Sequence, residues 1–209
     1  GYNVEVFEKD AVVGGRNAAL RLGDYTFDTG PTFLMMRHIL DEMFAITGRN
    51  SEEYLKYTEV DPTYRLRFGD GREFFPTRDP ERMRDQLEQL YPGSYKQYQK
   101  YMKREKVKYE RLVPCLQKPY SRLRDHFHPD LVKAIPYLDV HTNLFDYLGN
   151  YFAEDDLRIS FTFQAKYLGM SPWKCPATFS IISYIEHGLG IWHLEGGLNQ
   201  ISVQMARVV

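Results

Sequence analysis

The chain has 209 residues, 43% hydrophobic and 26% charged, a balance that excludes general disorder and allows a substantial core. Its formal net charge of -1 gives no overall drive toward nucleic acid, and no apolar run approaches the roughly 18 to 20 residues that cross a bilayer. Cys115 and Cys175 are lone and far apart, which excludes a disulfide framework or zinc cluster and fits a reducing, cytoplasmic setting.

Asn3 to Phe7 alternates and is rich in Val and Phe, so it reads as a strand ending at Glu8. Ala18 to Leu22 and Tyr25 to Asp28 read as a hairpin turning at Gly23-Asp24, and Pro31 to Phe33 as loop. Ile39, Leu40, Met43, Phe44 and Ile46 have helical spacing over Arg37 to Thr47, stopped by Gly48. A second hairpin is expected from Tyr64 to Phe68 and Glu73 to Phe75, with Asp70-Gly71 as a type I′ turn signal. Asp79-Pro80 caps a helix to about Leu90, and Ser94 opens a longer one to about Val113. Further helices are predicted near Asp130 to Ile135, Thr142 to Phe152, Asp155 to Tyr167 and Ala177 to His187. Gly190 to Leu194 reads as a short strand, and Gly196-Gly197 leads into a closing helix. The change from β-rich to α-rich near residue 76 is the one organisational seam, so we read a split domain with an inserted one.

The Glu8 strand, followed by Gly14-Gly15-Arg16, looks like the second half of a nucleotide-binding βαβ unit. An acid at the end of the second strand holds ribose hydroxyls in such units, and glycines followed by an Arg suit a phosphate. Read alone, Glu8 is equally an exposed acid at a strand end, and the glycine pair equally a surface turn. Only seven residues precede Glu8, so the first strand and its glycine turn are expected outside the chain, and residues 1 to 209 alone are expected not to bind the cofactor.

With Tyr25 to Met36 (Tyr-Thr-Phe-Asp-Thr-Gly-Pro-Thr-Phe-Leu-Met-Met), these elements resemble the bacterial carotenoid desaturases, flavoproteins that dehydrogenate phytoene or diapophytoene. Glu154 to Gly169 and Phe179 to Ile182 before Gly196-Gly197 extend the resemblance over nearly the whole chain. It implies an α/β fold with an α+β insert: a partial Rossmann-like FAD domain at 1–58 and 190–209, and a mostly helical substrate domain at 59–189. It implies FAD held by Glu8, Gly14, Gly15, Arg16, Gly30, Pro31, Thr32, Gly196 and Gly197, with no metal. In family members a proline often stands two residues before the glycine pair, and here Leu194 holds that place.

Removing hydrogen from an unactivated hydrocarbon requires loss of a hydride and of a proton, the latter to a basic group or water. The resemblance points to Asp155 and Arg158 in the acidic cluster Glu154-Asp155-Asp156, whereas acids opening a helix are also ordinary caps. The high aromatic content, 16 Tyr and 13 Phe, suits either surface phenols or an aromatic-lined cavity for an apolar ligand such as a polyisoprenoid. Between Lys100 and Arg124 cations outnumber Glu105 and Glu110, with Tyr98, Tyr101, Met102 and Tyr109 interleaved. This is either a solvated helix face or a peripheral surface for anionic lipid on the inner face of the cell membrane. Related flavoproteins (carotenoid isomerase, ketolase, amine oxidase) and a non-enzymatic lipid escort of the same fold are the alternatives.

Overall fold

A computed structural model describes residues 4–208, which divide into two compact units, one of residues 4–60 and 190–208 and the other of 61–189. In the first unit, β1 (Ala19–Leu22) and β2 (Tyr25–Asp28) form an antiparallel hairpin, with Leu22 opposite Tyr25 across Gly23-Asp24. Gly23 has φ 59, a left-handed value that a residue without Cβ adopts at little cost. A second sheet is built around β7 (Ile191–Leu194), flanked antiparallel by β3 (Leu34–Met35) and β4 (Tyr57–Glu59). Helix α1 (Arg37–Ile46) lays Leu40 and Phe44 against Leu55, Leu194 and Leu198, and α8 (Gln200–Val208) adds Ile201 and Val208 to that core. Gly48 at φ 75 closes α1, as the spacing predicted.

The expected strand at the start of this unit is not there: Val4 to Phe7 form no strand, and Val4, Val6 and Phe7 are exposed, while Asn3 lies outside the described residues. A strand needs a neighbour for its backbone donors and acceptors, and the segment finds none among the described residues. Every named strand pair among the described residues is antiparallel. The fold combines helix and antiparallel sheet.

The second unit opens with a small hairpin, β5 (Leu66–Arg67) and β6 (Glu73–Phe74). Its connection is longer than the predicted two-residue turn: Gly71 N–H donates to Phe68 O, and Phe68 N–H to Arg72 O. Helix α2 (Pro80–Leu90) starts as read, with Asp79 accepting from Glu81 N and Arg82 N and with Pro80 in the first turn. Helix α3 (Ser94–Leu116) runs past the predicted Val113 and through Pro114, which stands in its last turn. Its inner face carries Tyr98, Tyr101, Leu112 and Cys115, but also Glu105 and Lys108, both fully buried. The interleaved Tyr98 and Tyr101 therefore point into the core, while Met102 and Tyr109 are half-buried.

The later helices are shorter than predicted, because side chains compete for backbone groups. Asn143 caps α5 (Leu144–Leu148) by accepting from Asp146 N. Helix α6 (Asp155–Ser160) ends where Ser160 Oγ and Thr162 Oγ1 donate to the carbonyls of Asp156 and Ile159, and a 3₁₀ stretch, Phe163–Leu168, follows. Helix α4 (Pro129–Ala134) packs on the end of α3 through Leu131 and Ala134. The predicted helix over Ala177 to His187 is three pieces: a 3₁₀ turn at Ala177–Ser180, α7 (Ile181–Tyr184) and a π-turn at Ile185–Leu189. Phe161 is the hub of the core, stacked on Phe152 at 5.0 Å and 13°, with Phe74, Tyr98 and Tyr101 around it. Burying such a ring contributes about 1.5 to 3 kcal/mol.

Candidate functional site

In the first unit three chain segments converge around the two glycine pairs. The loop after Val13 turns at Gly14 (φ 123) and Gly15 (φ 53), then enters a single 3₁₀ turn, Gly15–Asn17. Asn199, next to Gly196-Gly197 in sequence, donates from Nδ2 to Val13 O at 2.9 Å and Asn17 O at 2.8 Å. Asn17 returns a bond from its Nδ2 to Leu198 O at 2.9 Å. Asp28, at the end of β2, accepts from Leu198 N at 3.1 Å, and Thr29 Oγ1 donates to Ala18 O at 2.8 Å. Buried or half-buried amides and a carboxylate thus lock the two glycine pairs into one frame.

The glycines are required by close backbone approach. A Cβ on Gly30 would lie 2.2 Å from Arg16 O, on Gly14 2.7 Å from Asn199 Nδ2, and on Gly197 2.8 Å from Asp28 Oδ1. Gly15 differs: nothing lies within 4 Å of its ideal Cβ position, so that loop backbone faces open space. Beside this frame is a cleft of about 870 Å³ between the β1–β2 hairpin and α8, lined in part by Arg21, Asp28, His193, Gly196, Gly197 and Arg207. Its volume is within the range of small-molecule sites, and two guanidiniums facing a single carboxylate suit an anionic, polar ligand.

Of the residues predicted to hold a cofactor, Gly196 and Gly197 line the cleft, while Gly14, Gly15, Arg16 and Gly30 form the frame beside it. Arg16, Pro31 and Thr32 are exposed. Glu8 is exposed and its Oε1 accepts from Asp10 N, a local turn rather than the end of a strand. Leu194, in the family's proline position, is buried against Leu40, Phe44 and Leu55, and its carbonyl accepts from Gly197 N at 3.0 Å. Asn17, Asp28 and Asn199 were not anticipated. The one signal for them was their adjacency to glycine-rich segments, which means little until the segments meet.

In the second unit Asp155 and Asp156 of the acidic cluster both have cationic partners. Asp156 accepts from Arg72 Nη2 and from Tyr91 OH, each at 2.8 Å. Arg158 donates from Nε to Phe152 O at 2.8 Å and from Nη2 to Ala153 O at 2.9 Å, and its Nη1 is 3.4 Å from the exposed Asp155. Two polar clusters unanticipated from sequence lie deeper. In one, Glu105 accepts from Tyr147 OH at 2.6 Å and Ser180 Oγ at 2.7 Å, while Lys108 Nζ is 3.3 Å from Glu105 and 3.0 Å from Asp139. In the other, Glu186 on the π-turn accepts from Gln164 and Tyr167, and burial raises its carboxyl above the usual range. His187 Nε2 meets Tyr64 OH at 3.1 Å, and burial lowers the imidazole to about 4.

Comparison with known proteins agrees with this geometry. The family model for flavin-containing amine oxidoreductases matches residues 1–209, the whole chain. The chain belongs to that family. The membership accounts for a glycine-framed cleft on a mixed helix-and-sheet unit, and it makes a flavin the expected ligand class. Over 209 residues the chain is 44% identical to a 4,4'-diapophytoene desaturase (4,4'-diapolycopene-forming) of Methylomonas sp, covering 100% of this chain and 41% of that protein. It is 34% identical to a zeta-carotene-forming phytoene desaturase of Myxococcus xanthus, covering 100% and 40%. The chain thus spans about two fifths of the length of these curated relatives. A solved putrescine oxidase variant shares the fold with a TM-score of 0.55 at 16% identity, over 95% of this chain and 42% of that one.

Proposed function

We propose that the chain belongs to an FAD-dependent oxidoreductase that desaturates a linear polyisoprenoid, phytoene or diapophytoene, in carotenoid biosynthesis. The observation that carries this reading is the 44% identity, without loss of coverage on this chain, to a diapophytoene desaturase. The cleft supports the cofactor half. The Gly15 backbone is open to a phosphate, Arg21 and Arg207 supply positive charge, and the Asn17–Asn199–Asp28 frame holds the loops so that little ordering is needed on binding. Glu8, Arg16, Pro31 and Thr32 are exposed and free to add contacts to ribose, phosphate or ring.

A bound flavin would supply the hydride acceptor for the substrate carbon. Residues 1–60 and 190–209 then serve as the flavin-holding unit, and 61–189 as the substrate unit. For Asp155 and Arg158 we propose positioning rather than proton transfer. The Arg158 guanidinium donates to the carbonyls of residues 152 and 153, which ties α6 to the connection that precedes it, and Asp155 stands beside it in the first turn. The test is to incubate the purified full-length protein with FAD and either phytoene or diapophytoene and follow conjugated-polyene absorbance. Flavin retention with product from one substrate supports the reading. A yellow protein that oxidises putrescine and leaves both hydrocarbons unchanged favours amine oxidation, and a protein that purifies colourless and takes up no FAD favours the lipid escort.

A further inference from the structure

Glu186 differs from the other inward acids of the second unit. Fully buried Glu105 has the ammonium of Lys108 at 3.3 Å, and half-buried Asp139 has it at 3.0 Å. Glu186 is as deeply buried as Glu105 and pairs with no cation among the described residues. Burying a carboxyl without a cation is costly, and such groups collect at functional sites. Its backbone is irregular as well: the π-turn at Ile185–Leu189 carries Glu186 and His187 inward side by side, and single turns of this kind are frequent at functional sites.

Neutral donors surround the carboxyl. Ser183 Oγ lies 2.9 Å from Gln164 Oε1 and 3.0 Å from Phe161 O, which orients Gln164 so that its amide donates to Glu186 Oε2. On the other oxygen, Tyr167 OH donates to Oε1 at 2.6 Å. Tyr167 is 40% exposed and Leu168 39%, so this bond joins a fully buried carboxyl to an open, apolar edge of the unit, with the Phe163 ring 6.2 Å from that of Tyr167. The other titratable groups packed on the turn carry no charge at pH 7. Tyr64 OH and His187 Nε2 face one another at 3.1 Å, and burial holds the phenol well above its ordinary value and the imidazole down at about 4. Lys166 lies over the Phe163 ring at 4.0 Å, and on α3 Glu105 and Lys108 compensate each other. Burial also holds the Tyr167 phenol above its ordinary value, so it does not act as a base by ionising. Beside a carboxylate, a phenol can take up one proton while giving another.

On the basis of the desaturation proposed above, we infer that Tyr167 and Glu186 form the outlet for the proton the hydrocarbon loses: Tyr167 Oη accepts it as the phenol's own hydrogen passes to Glu186 Oε1. At one carbon a C–H pair leaves as hydride to the flavin. At its neighbour the C–H electrons become the second bond of the alkene, and the proton goes to Tyr167. The phenol is neutral before and after, Glu186 changes from carboxylate to acid, and that acid later returns its proton to water by the same route. Tyr167 is the group that meets the substrate, and Glu186 and Gln164 act through it.

The full-length, FAD-loaded protein is tested with phytoene and diapophytoene. Wild-type turnover should rise with pH through one limb above the ordinary carboxylate range, because Glu186 must be ionised and burial raises it. It should also slow in heavy water, because the phenolic hydrogen exchanges with solvent. Tyr167→Phe and Glu186→Gln should each lower turnover about 10²-fold and lose both the limb and the solvent isotope effect. Gln164→Leu takes a donor from the carboxylate and should move the limb to higher pH. The infrared carboxyl band of the substrate-free protein gives a readout without turnover. It should titrate over the same pH range as the limb, move with Gln164→Leu and vanish in Glu186→Gln.

The relay is overturned if Tyr167→Phe turns over like wild type, or if Glu186→Gln keeps the limb. It is equally overturned if both variants lose turnover with limb and isotope effect unchanged, which is the behaviour of a purely structural contact, or if no carboxyl band titrates above the ordinary range. Any of these outcomes in a protein that turns over one hydrocarbon leaves the desaturation standing. A wild type that oxidises neither hydrocarbon overturns the reaction and the relay together.

Discussion

Gly30 and Gly48 are both small residues in loops, and their substitutions have different expected outcomes. Ala at Gly30 brings Cβ to 2.2 Å from a backbone carbonyl of the glycine loop, which cannot move aside as a side chain can. Ala at Gly48 meets nothing within 4 Å and bears the left-handed φ of 75 alone, a cost of about 1 to 2 kcal/mol. We expect Gly30→Ala to lose bound flavin, read as the ratio of flavin to protein absorbance, and Gly48→Ala to keep it with a modest loss of melting temperature. Equal flavin retention in both would remove the frame from cofactor binding. His187 gives a second residue-scale expectation. Its imidazole is lowered from 6.5 to about 4, so the unfolded chain takes up the proton first as pH falls. Its contribution to stability is present above pH 6.5 and is lost between there and about 4, on the order of 3 kcal/mol in all. Glu186, raised by burial, has the opposite sign and loses stability as pH rises through its folded value. The difference between wild-type and His187→Phe denaturation curves isolates the histidine. A difference that stays flat from pH 7 to 4 would show that His187 is not the group responsible.

At the scale of elements, the cap of α2 and the charged interior of α3 set different magnitudes. Asp79→Ala removes the acceptor for two backbone N–H groups and should cost about 1 kcal/mol in urea unfolding. Lys108→Met leaves Glu105 and Asp139 without their buried cation and should cost about 3 to 5 kcal/mol. Adding Glu105→Gln to Lys108→Met should recover part of that loss, because a buried uncompensated charge is the main penalty. If the double variant instead equals the sum of the singles, the pair is not coupled. The same scale explains why helix lengths were over-read. Spacing of apolar residues registers the buried stripe, but it does not register Ser160, Thr162 and Ser180 donating to backbone carbonyls at the places where α-helix and 3₁₀ segments meet.

At the scale of the molecule, two compact units predict a localised response to cofactor. Flavin that binds the folded first unit stabilises it by mass action, about 2.7 kcal/mol at a hundredfold excess over Kd. Amide exchange of the full-length protein on loading should therefore slow most over residues 13–30 and 193–203, and little in the Phe74–Phe152–Phe161 core. Protection concentrated in that core instead would move the cofactor site to the other unit. Asp155 and Arg158 belong to the second unit, where Arg158→Ala should lower melting and kcat together without shifting the pH profile, as loss of the 152–153 clamp requires. A displaced pH profile would assign Arg158 to the proton step itself.

What the chain determined by itself is what depends on neighbours in sequence: the β1–β2 hairpin at Gly23, the Asp79-Pro80 cap, the stop at Gly48, and the glycine pairs whose family resemblance implied a flavin. Tertiary structure alone decided what depends on residues far apart. Asn17 and Asn199 are 182 positions apart in sequence, yet they lock the glycine loops together. The stretch after Val4 forms no strand because a strand requires a partner that local alternation cannot supply. The basic helix turns Tyr98 and Tyr101 into the core. Periodicity states that a helix has an inner face, and only packing states which residues that face meets.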